Sequence, residues 1–258
     1  MQRQHHNHLA YDQFDSFSQV RHGVFTRHGG VSAAPYGALN LGRTVGDDPE
    51  AVEENYRRVY AALGVEADRV CSVWQVHGVE VVTQPQPVPG QSWIAQADAM
   101  VTDQPGMPLV MRYADCTPIL LHDPVMRVIG IAHAGWRGTV QGIASRTVQT
   151  MTGQYGCQPH DIRAGIGPSI GPDCYQVGEE VVTATEAYFG DTDGLIRRHP
   201  ADNSAYLDLW AANALDLRRA GIQHIETAGI CTMKHTQDFY SHRGEHGQTG
   251  RFAAVIVL

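Results

Sequence analysis

The sequence predicts a mixed α+β fold, and three observations support this prediction. Segments with a helical period are interspersed with short β-like runs, without strict β-α-β alternation. Gly, Pro and Asp turn signals separate these segments. No internal repeat and no low-complexity linker interrupts the 258 residues. Together these features favour an α+β arrangement over a doubly wound parallel sheet.

The first helix is predicted between Asp47 and Gly64. Asp47 or Asp48 can cap its N terminus, Pro49 suits the first turn, and Gly64 closes the helix. Three later segments also show a helical period: about 140–153, Val177–Phe189 and Ala205–Ala220.

Strands are predicted from short apolar runs with turn punctuation. Four of these runs lie between residues 79 and 135: VEVVTQ, PLVMRYAD, PILLHDP and RVIGIAHAG. Asp123 and Pro124 between the last two predict a hairpin or a tight turn. The chain ends in another strand-like run, FAAVIVL.

Composition limits the classes of function. A hydrophobic fraction of 43% is ample for a core, and the formal net charge of −8 argues against general nucleic-acid binding, which needs clustered Lys and Arg. No apolar run approaches the roughly 18 residues of a membrane span. We therefore expect no nucleic-acid partner and no membrane partner.

The N-terminal sequence and the cysteines predict a reducing, cytoplasmic setting. The polar, His-rich start MQRQHHNHLAYDQ has no secretory apolar stretch, and we interpret residues 1–20 as a flexible tail before a domain at 21–258. The five cysteines are widely spaced and form no C-x-x-C pair, so neither a disulfide framework nor a structural zinc knuckle is expected.

Three residues share one local setting. His77 in WQVHG, Cys116 in YADCTP and His133 in IAHAG each follow a β-like or apolar run and precede Gly or Pro within two residues. A strand end beside a turn holds a side chain rigidly and can still open it to a pocket.

The chemistry of this trio leaves alternatives open. Imidazole and thiolate groups suit Zn²⁺, and three protein ligands leave a fourth position for water or substrate. The same set suits copper. Alternatively, Cys116 and one histidine form a nucleophile and base without a metal. Spacing alone does not decide, since it matches no short zinc signature.

Several motif blocks carry a family resemblance. From about Val24 to Leu258, the chain strongly resembles the laccase-domain family, first labelled polyphenol oxidase and now interpreted as zinc-dependent purine nucleoside phosphorylases. The blocks are FTRHGGVS, YGALNLG, VGDDPEAVEEN, WQVHG, ADAMVTDQPGMPLVMRYADCTPILLHDP, IGIAHAGWRGTV, GIGPSIGPDCYQVGEEV, LDLWAAN and FYSHRGEHGQTGRFAAVIVL.

The resemblance implies a single-domain α/β/β/α layered sandwich with His77, Cys116 and His133 as the metal ligands. It implies phosphorolysis of adenosine, inosine, guanosine and methylthioadenosine, together with deamination of adenosine. Purine nucleosides and phosphate are then the expected partners, and the expected assembly is a monomer or homodimer. Zinc is the expected cofactor, with copper as the alternative.

Four polar residues in or near these blocks are candidates for substrate binding: Asn40, Gln75, Arg137 and Arg243. Arg137 follows His133 in the same turn and can offer phosphate a charge-assisted fork. Deamination needs a carboxylate to shuttle protons, and Asp115 is the nearest in sequence, although adjacent strand residues point to opposite faces.

Two further functions stay open at this stage. Bacterial relatives include a peptidoglycan editing factor, so a Cys–His amidase acting on cell-wall precursors is the main alternative. A copper-dependent polyphenol oxidase is disfavoured on ligand number, because the H-x-H pair of His6 and His8 is the single one in the sequence.

Overall fold

Fifteen strands and six helices occur in the part of the chain that the computed structural model describes, which is residues 2–4, 7–15, 17–88 and 92–258. The strands are β1 (Gln2–Gln4), β2 (His8–Ala10), β3 (Arg21–Phe25), β4 (Cys71–Ser72), β5 (Val81–Thr83), β6 (Ala99–Thr102), β7 (Leu109–Tyr113), β8 (Thr117–Asp123), β9 (Val128–Ala134), β10 (Arg163–Ile166), β11 (Gln176–Val177), β12 (Ile196–Arg198), β13 (Ala205–Leu207), β14 (His224–Thr227) and β15 (Phe252–Val257). The helices are α1 (Asp12–Asp15), α2 (Pro49–Leu63), α3 (Trp136–Thr139), α4 (Ile143–Tyr155), α5 (Glu179–Phe189) and α6 (Leu209–Arg219).

Two six-stranded sheets form the middle of the molecule. The first has the order β1-β2-β3-β15-β7-β4, and the second has the order β14-β10-β8-β9-β6-β5. Most neighbours are antiparallel, while β4–β7, β5–β6 and β10–β14 are parallel. A small third sheet, β11-β13-β12, lies apart from them.

Alternating side chains on each sheet produce the layers. Met111 and Phe252 of the first sheet pack with Leu120 and Ile131 of the second to form the core between the sheets. The next residues along the strands point to the outer faces, as the period of two requires. Helix α2 covers the outer face of the first sheet, and α4 and α6 cover that of the second. This is the predicted α/β/β/α sandwich.

The first predicted helix is confirmed with its caps. The Asp48 side chain accepts a hydrogen bond from Glu50 N, Pro49 begins the helix, and Gly64 ends it in the left-handed conformation with φ 59°. The predicted hairpin is also confirmed, because β8 and β9 pair and the Asp123 carboxylate accepts from Val125 N and Met126 N.

Other helix boundaries were predicted less well. Residues 205–207 form a strand, because pairing with β11 and β12 outweighs the helical period there, and α6 begins only after the cap at Asp208. The helix predicted from Val177 begins at Glu179. The segment after Gly138 is split by Gly142, with φ 76°, and its helix α4 continues beyond Gly153 to Tyr155.

Part of the predicted N-terminal tail packs against the domain. Strand β2 pairs with β3, and Tyr11 and Phe14 are fully buried. Residues 1, 5, 6 and 16, and with them His6, lie outside the described residues. The domain boundary at residue 21 stays a prediction. None of the described helices combines the length and apolar character needed to cross a membrane.

Two buried histidines lie beneath this N-terminal segment. His22 Nε2 accepts a hydrogen bond from Tyr11 N at 2.7 Å. His122 is fully buried between Phe14 and Phe17, and neither ring nitrogen has a hydrogen-bond partner among the described residues. Burial, reinforced by the charges of His8 and His122, lowers the pKa of His22 to about 3. Burial also lowers the pKa of His122 to about 4, although the charge of Asp123 opposes this shift.

We therefore predict a loss of stability in acid. Because the folded-state pKa of both histidines lies below the unfolded value near 6.5, their contribution is complete above about pH 6.5 and falls as the pH drops toward 4. Each histidine contributes a slope of up to about 1.4 kcal/mol per pH unit to the free energy of unfolding. Urea unfolding at several pH values should show this slope, and His122→Leu should make it shallower. The exposed His160→Leu serves as control, and an unchanged slope in His122→Leu would contradict the prediction.

Candidate metal centre

The structure brings His77, Cys116 and His133 together. One ligand atom from each lies within 4.8 Å of the others. Cys116 directly precedes β8 and His133 lies in β9, where it pairs with Pro118, so the hairpin register makes the two residues neighbours. His77 arrives from the loop after β4 and places its ring 4.9 Å from that of His133, centroid to centroid.

A buried carboxylate, Asp98, organises this arrangement. One of its oxygens lies 2.8 Å from His133 Nδ1 and accepts from His77 N at 3.0 Å, while the other accepts from Val76 N and Gly78 N at 3.1 and 2.7 Å. Since Nδ1 of His133 is held by Asp98, Nε2 is left to face the other ligands. A carboxylate that orients a metal-binding histidine in this way is a common feature of metal sites.

The loop that carries His77 is held in an unusual backbone conformation. His77 has φ 60°, in the left-handed region that non-glycine residues seldom adopt. Three successive N–H groups, from Val76 to Gly78, converge on the Asp98 carboxylate, and this concave set of donors suits an anion. Asp98 therefore stabilises the strained loop as well as orienting the ring of His133.

Gly135 is required by close packing rather than by its backbone angle, since its φ is −74°. A Cβ atom at this position would lie 2.9 Å from Cys116 Sγ and 3.1 Å from the ring of His77. The backbone of the turn after β9 thus packs closely against Cys116 and His77, two of the three candidate ligands.

The pKa values of Cys116 and His133 are coupled. Burial by itself raises the pKa of the Cys116 thiol, but the charge of His133 and hydrogen bonds from His133 and His77 outweigh it and lower that pKa to about 6. Burial lowers the pKa of His133, whereas Cys116 and Asp98 raise it to about 9. Cys116 is thus favoured as a thiolate at neutral pH, the form that binds metals.

Solvent reaches this centre from one side. His133 is only 4% exposed, Cys116 is half-buried and His77 is exposed. The ligand set therefore opens on a cavity of about 430 Å³. The cavity has aromatic walls and an excess of cationic side chains: Trp74, Trp93, Trp136, Tyr175, Arg43, Arg112, Arg137, Arg243 and Arg251.

Three of the four predicted substrate-binding residues line this cavity. Arg137 and Arg243 are exposed at its wall, and Gln75 binds the backbone of Arg112 through both ends of its amide. Asn40 is not brought to the wall. It is fully buried, and its amide bonds Asp47, Gly42 and the backbone of Arg251.

The Asp115 carboxylate is occupied by structural hydrogen bonds. It accepts from Thr232 Oγ1, Ser241 Oγ and Arg243 N, each at 2.7 Å. These contacts hold residues 232–243, which precede β15, against the loop before β8 that carries Cys116. The geometry gives Asp115 a role in holding that segment and does not favour the proton-shuttle role considered from its sequence position.

The sequence analysis did not identify Asp98, Arg112 or Arg251 as residues of the site. Asp98 is fully buried and directly precedes β6, with the sequence AMVT, just as Cys116 directly precedes β8. A charged residue next to a buried strand was the available signal. Its partner His133 lies on a different strand, so the pairing itself depends on sheet register.

The fold and this site define a mixed α/β protein with a candidate His–Cys–His metal centre beside a cationic cavity. The chain belongs to the family described as multi-copper polyphenol oxidoreductase laccase, whose family model matches residues 21–258. The resemblance to the laccase-domain family is thereby confirmed.

Several relatives support this membership. A Deinococcus radiodurans protein named purine nucleoside phosphorylase is 44% identical over 239 residues, covering 93% of this chain and 89% of the relative. The crystal structure of YlmD from Geobacillus stearothermophilus matches with a TM-score of 0.90 and 34% identity, over 99% of this chain and 97% of that one. The Bacillus licheniformis hypothetical protein YfiH matches with a TM-score of 0.92 and 32% identity, over 98% and 96%.

The role of Asp98 gives a prediction for metal affinity. In Asp98→Asn the amide is a weaker acceptor for His133 and no longer neutralises the three converging N–H groups. We expect Zn²⁺ affinity, measured by calorimetry, to fall roughly 10- to 100-fold, the usual cost of losing such an orienting partner. Asp123→Asn is the matched control, because Asp123 is equally buried and also accepts two backbone N–H groups outside the site. Equal zinc affinity in Asp98→Asn and the wild type would show that Asp98 does not position the ligands.

Proposed function

We propose that this protein is a zinc-dependent purine nucleoside phosphorylase with an additional adenosine deaminase activity. The observation that carries the proposal is an open His–Cys–His ligand set at the wall of a cavity with aromatic and cationic sides. The names of relatives that match more than 90% of the chain support it. Adenosine, inosine, guanosine and methylthioadenosine are the proposed nucleosides.

The donor set fits zinc. Two imidazoles and a thiolate are ligands that Zn²⁺ prefers, and three protein ligands with one exposed side match catalytic rather than structural zinc sites. Bound by His77, Cys116 and His133, zinc would supply a Lewis acid with an open coordination position next to the cavity.

The remaining residues would bind and orient the two substrates. The rings of Trp74 and Trp93 at the cavity wall have centroids 4.6 Å apart in an edge-to-face arrangement. They offer apolar surface to a purine. Arg137, Arg243 and Gln75 are proposed to contact the nucleoside or phosphate. In phosphorolysis a phosphate oxygen bonds to the ribose C1′ while the C–N bond breaks, and the base leaves with the bonding electrons and takes up a proton.

We propose a cellular compartment and an oligomeric state for this activity. The five free cysteines suit the reducing cytoplasm, and a monomer or homodimer is proposed as the working unit. No nucleic-acid or membrane partner is proposed.

A specific observation favours a second candidate. Cys116, His133 and Asp98 form a nucleophile–base–orienter series of the kind that cysteine hydrolases use. A Cys–His amidase acting on peptidoglycan precursors would use these same residues without a metal. The two candidates differ in what they demand of Cys116.

The phosphorylase proposal predicts particular products. The metal-replete wild type, given adenosine and phosphate, should release adenine and ribose 1-phosphate, and without phosphate it should form some inosine. Chromatography of the products with phosphate present and omitted, together with metal analysis of protein purified without chelator, measures this. Failure to release free base from any purine nucleoside would contradict the phosphorylase proposal and favour the amidase.

Substitution of Cys116 separates the metal ligand from the nucleophile. Cys116→Ser should lose most of its zinc and its nucleoside turnover, because a serine hydroxyl is a poor zinc ligand compared with a thiolate. His77→Ala and His133→Ala should behave in the same way. Folding is checked by circular dichroism, and Cys174→Ser, at another half-buried cysteine, is the control. Stoichiometric zinc in a folded Cys116→Ser variant would rule out the ligand set proposed here.

A further inference from the structure

Two arginines at the cavity wall, Arg112 and Arg251, have no acidic partner. Neither forms an ion pair with any of the described residues, although both line the cavity beside Cys116. The carboxylate that does line the cavity, Asp115, is already bound to two hydroxyls and a backbone N–H. Neither guanidinium is therefore directly paired with a carboxylate among the described residues, although the charges of Cys116 and Asp115 act on Arg251.

The register of the first sheet brings the two arginines together. Arg112 of β7 lies opposite Ala253 of β15, and Arg251 precedes Ala253 by two positions. Residues related in this way across antiparallel strands lie on the same face as diagonal neighbours, within reach of long side chains. Burial lowers the pKa of the Arg251 guanidinium, and the charge of Arg112 acts in the same direction, against Cys116 and Asp115.

Both guanidinium groups are fixed in place. Arg112 donates to Ser72 Oγ and Val73 O, each at 2.6 Å, while Arg251 donates through Nη1 to Thr249 O and Gly250 O at 3.0 and 2.8 Å. These bonds use only some of the five donors that each guanidinium carries. The remaining donors are held with little freedom, so little conformational entropy is lost when an anion binds.

The surrounding loops are built around the Arg251 side chain. A Cβ atom on Gly42 would lie 2.9 Å from Arg251 Cγ, so a glycine is needed where the Arg251 side chain packs against residue 42. Asn40 Oδ1 accepts from both Gly42 N and Arg251 N and so joins the two loops. Asn40, a candidate substrate contact from the sequence, thus acts on the cavity through the placement of Arg251.

The other three arginines of the cavity are placed differently. Arg43 is paired with Glu53 and lies over the ring of Tyr56. Arg137 is exposed and stacks over Trp136, with 4.4 Å from Cζ to the ring centroid. Arg243 is also exposed and donates to Gln176 O.

We propose that Arg112 and Arg251 form an oxyanion subsite that binds inorganic phosphate beside the His–Cys–His centre. The inference rests on the proposed phosphorylase function and assigns the residues that hold its second substrate. Two fixed guanidinium forks match the oxygens of a tetrahedral phosphate. The bound anion also relieves the repulsion between the two cations, which increases its affinity. Arg137 is then a contact at the rim rather than the main phosphate ligand.

The test compares Arg251→Met with Arg69→Met. Arg69 is a matched control, since it is half-buried and donates to a carbonyl, that of Pro105, outside the cavity. Inorganic phosphate should raise the Tm of the wild type and of Arg69→Met, because a ligand that binds the folded state stabilises it. Arg251→Met should lose this rise while keeping its circular dichroism spectrum and zinc content. Its KM for phosphate should increase roughly 10- to 100-fold, the range for one lost charge-assisted hydrogen-bonding group, with a much smaller change in the KM for nucleoside.

The outcomes separate the subsite from the proposed function. If the wild type shows no phosphorolysis but its phosphate-dependent rise in Tm disappears in Arg251→Met, the subsite is supported and the phosphorylase function fails. If phosphorolysis occurs and Arg251→Met keeps both the rise in Tm and the wild-type KM for phosphate, the subsite is wrong. Loss of the rise in Arg137→Met but not in Arg251→Met would move the phosphate site to the rim and overturn the proposal.

Discussion

The metal centre depends on the Asp98 carboxylate more than on any other single group. Four donors converge on its two oxygens, three from the backbone of the His77 loop and one from the ring of His133. Burial raises the pKa of Asp98, but the hydrogen bond and charge of His133 and the backbone donors outweigh burial and keep that pKa low. A neutral side chain of the same shape would keep the packing and lose the charge that holds the left-handed loop. One buried anion thus fixes a ligand from each of two distant segments.

Strand pairing in the two sheets fixes the relative positions of the metal ligands and of the arginines at the cavity wall. The β8–β9 hairpin places Cys116 beside His133, and the β7–β15 pairing places Arg112 diagonal to Arg251. Gln75, two residues before His77, bonds the backbone of Arg112 through its amide. The His77 loop is consequently tied to both sheets, to the second through Asp98 and to the first through Gln75. Ligands and cationic wall therefore have a fixed geometry before any substrate arrives.

Local sequence signals predicted the parts of this structure that depend on local chemistry. The caps of α2, the turn at Asp123 and the α+β class all follow from residues near one another in the chain. His77, Cys116 and His133 were also found, because each is a reactive residue at the end of an apolar run. Asp98 and Arg112 were missed, because their roles exist only through partners on other strands. The error at Ala205–Leu207 has the same origin, since cross-strand pairing overrides a helical period that the sequence does contain.

The donor set also bears on the choice between the description of the family and the names of its members. A multicopper centre needs many histidines close to one another, yet within the described residues the group of three or more metal-binding side chains is His77, Cys116 and His133. His22 and His122 contact aromatic rings in the core, where burial lowers their pKa. A single ion with one open side suits the polarisation of a bound substrate, whereas electron transfer among several coppers needs further sites. Arg112 and Arg251 beside it suit the anionic co-substrate of the proposed phosphorolysis, whereas the oxidation of a phenol uses no such anion.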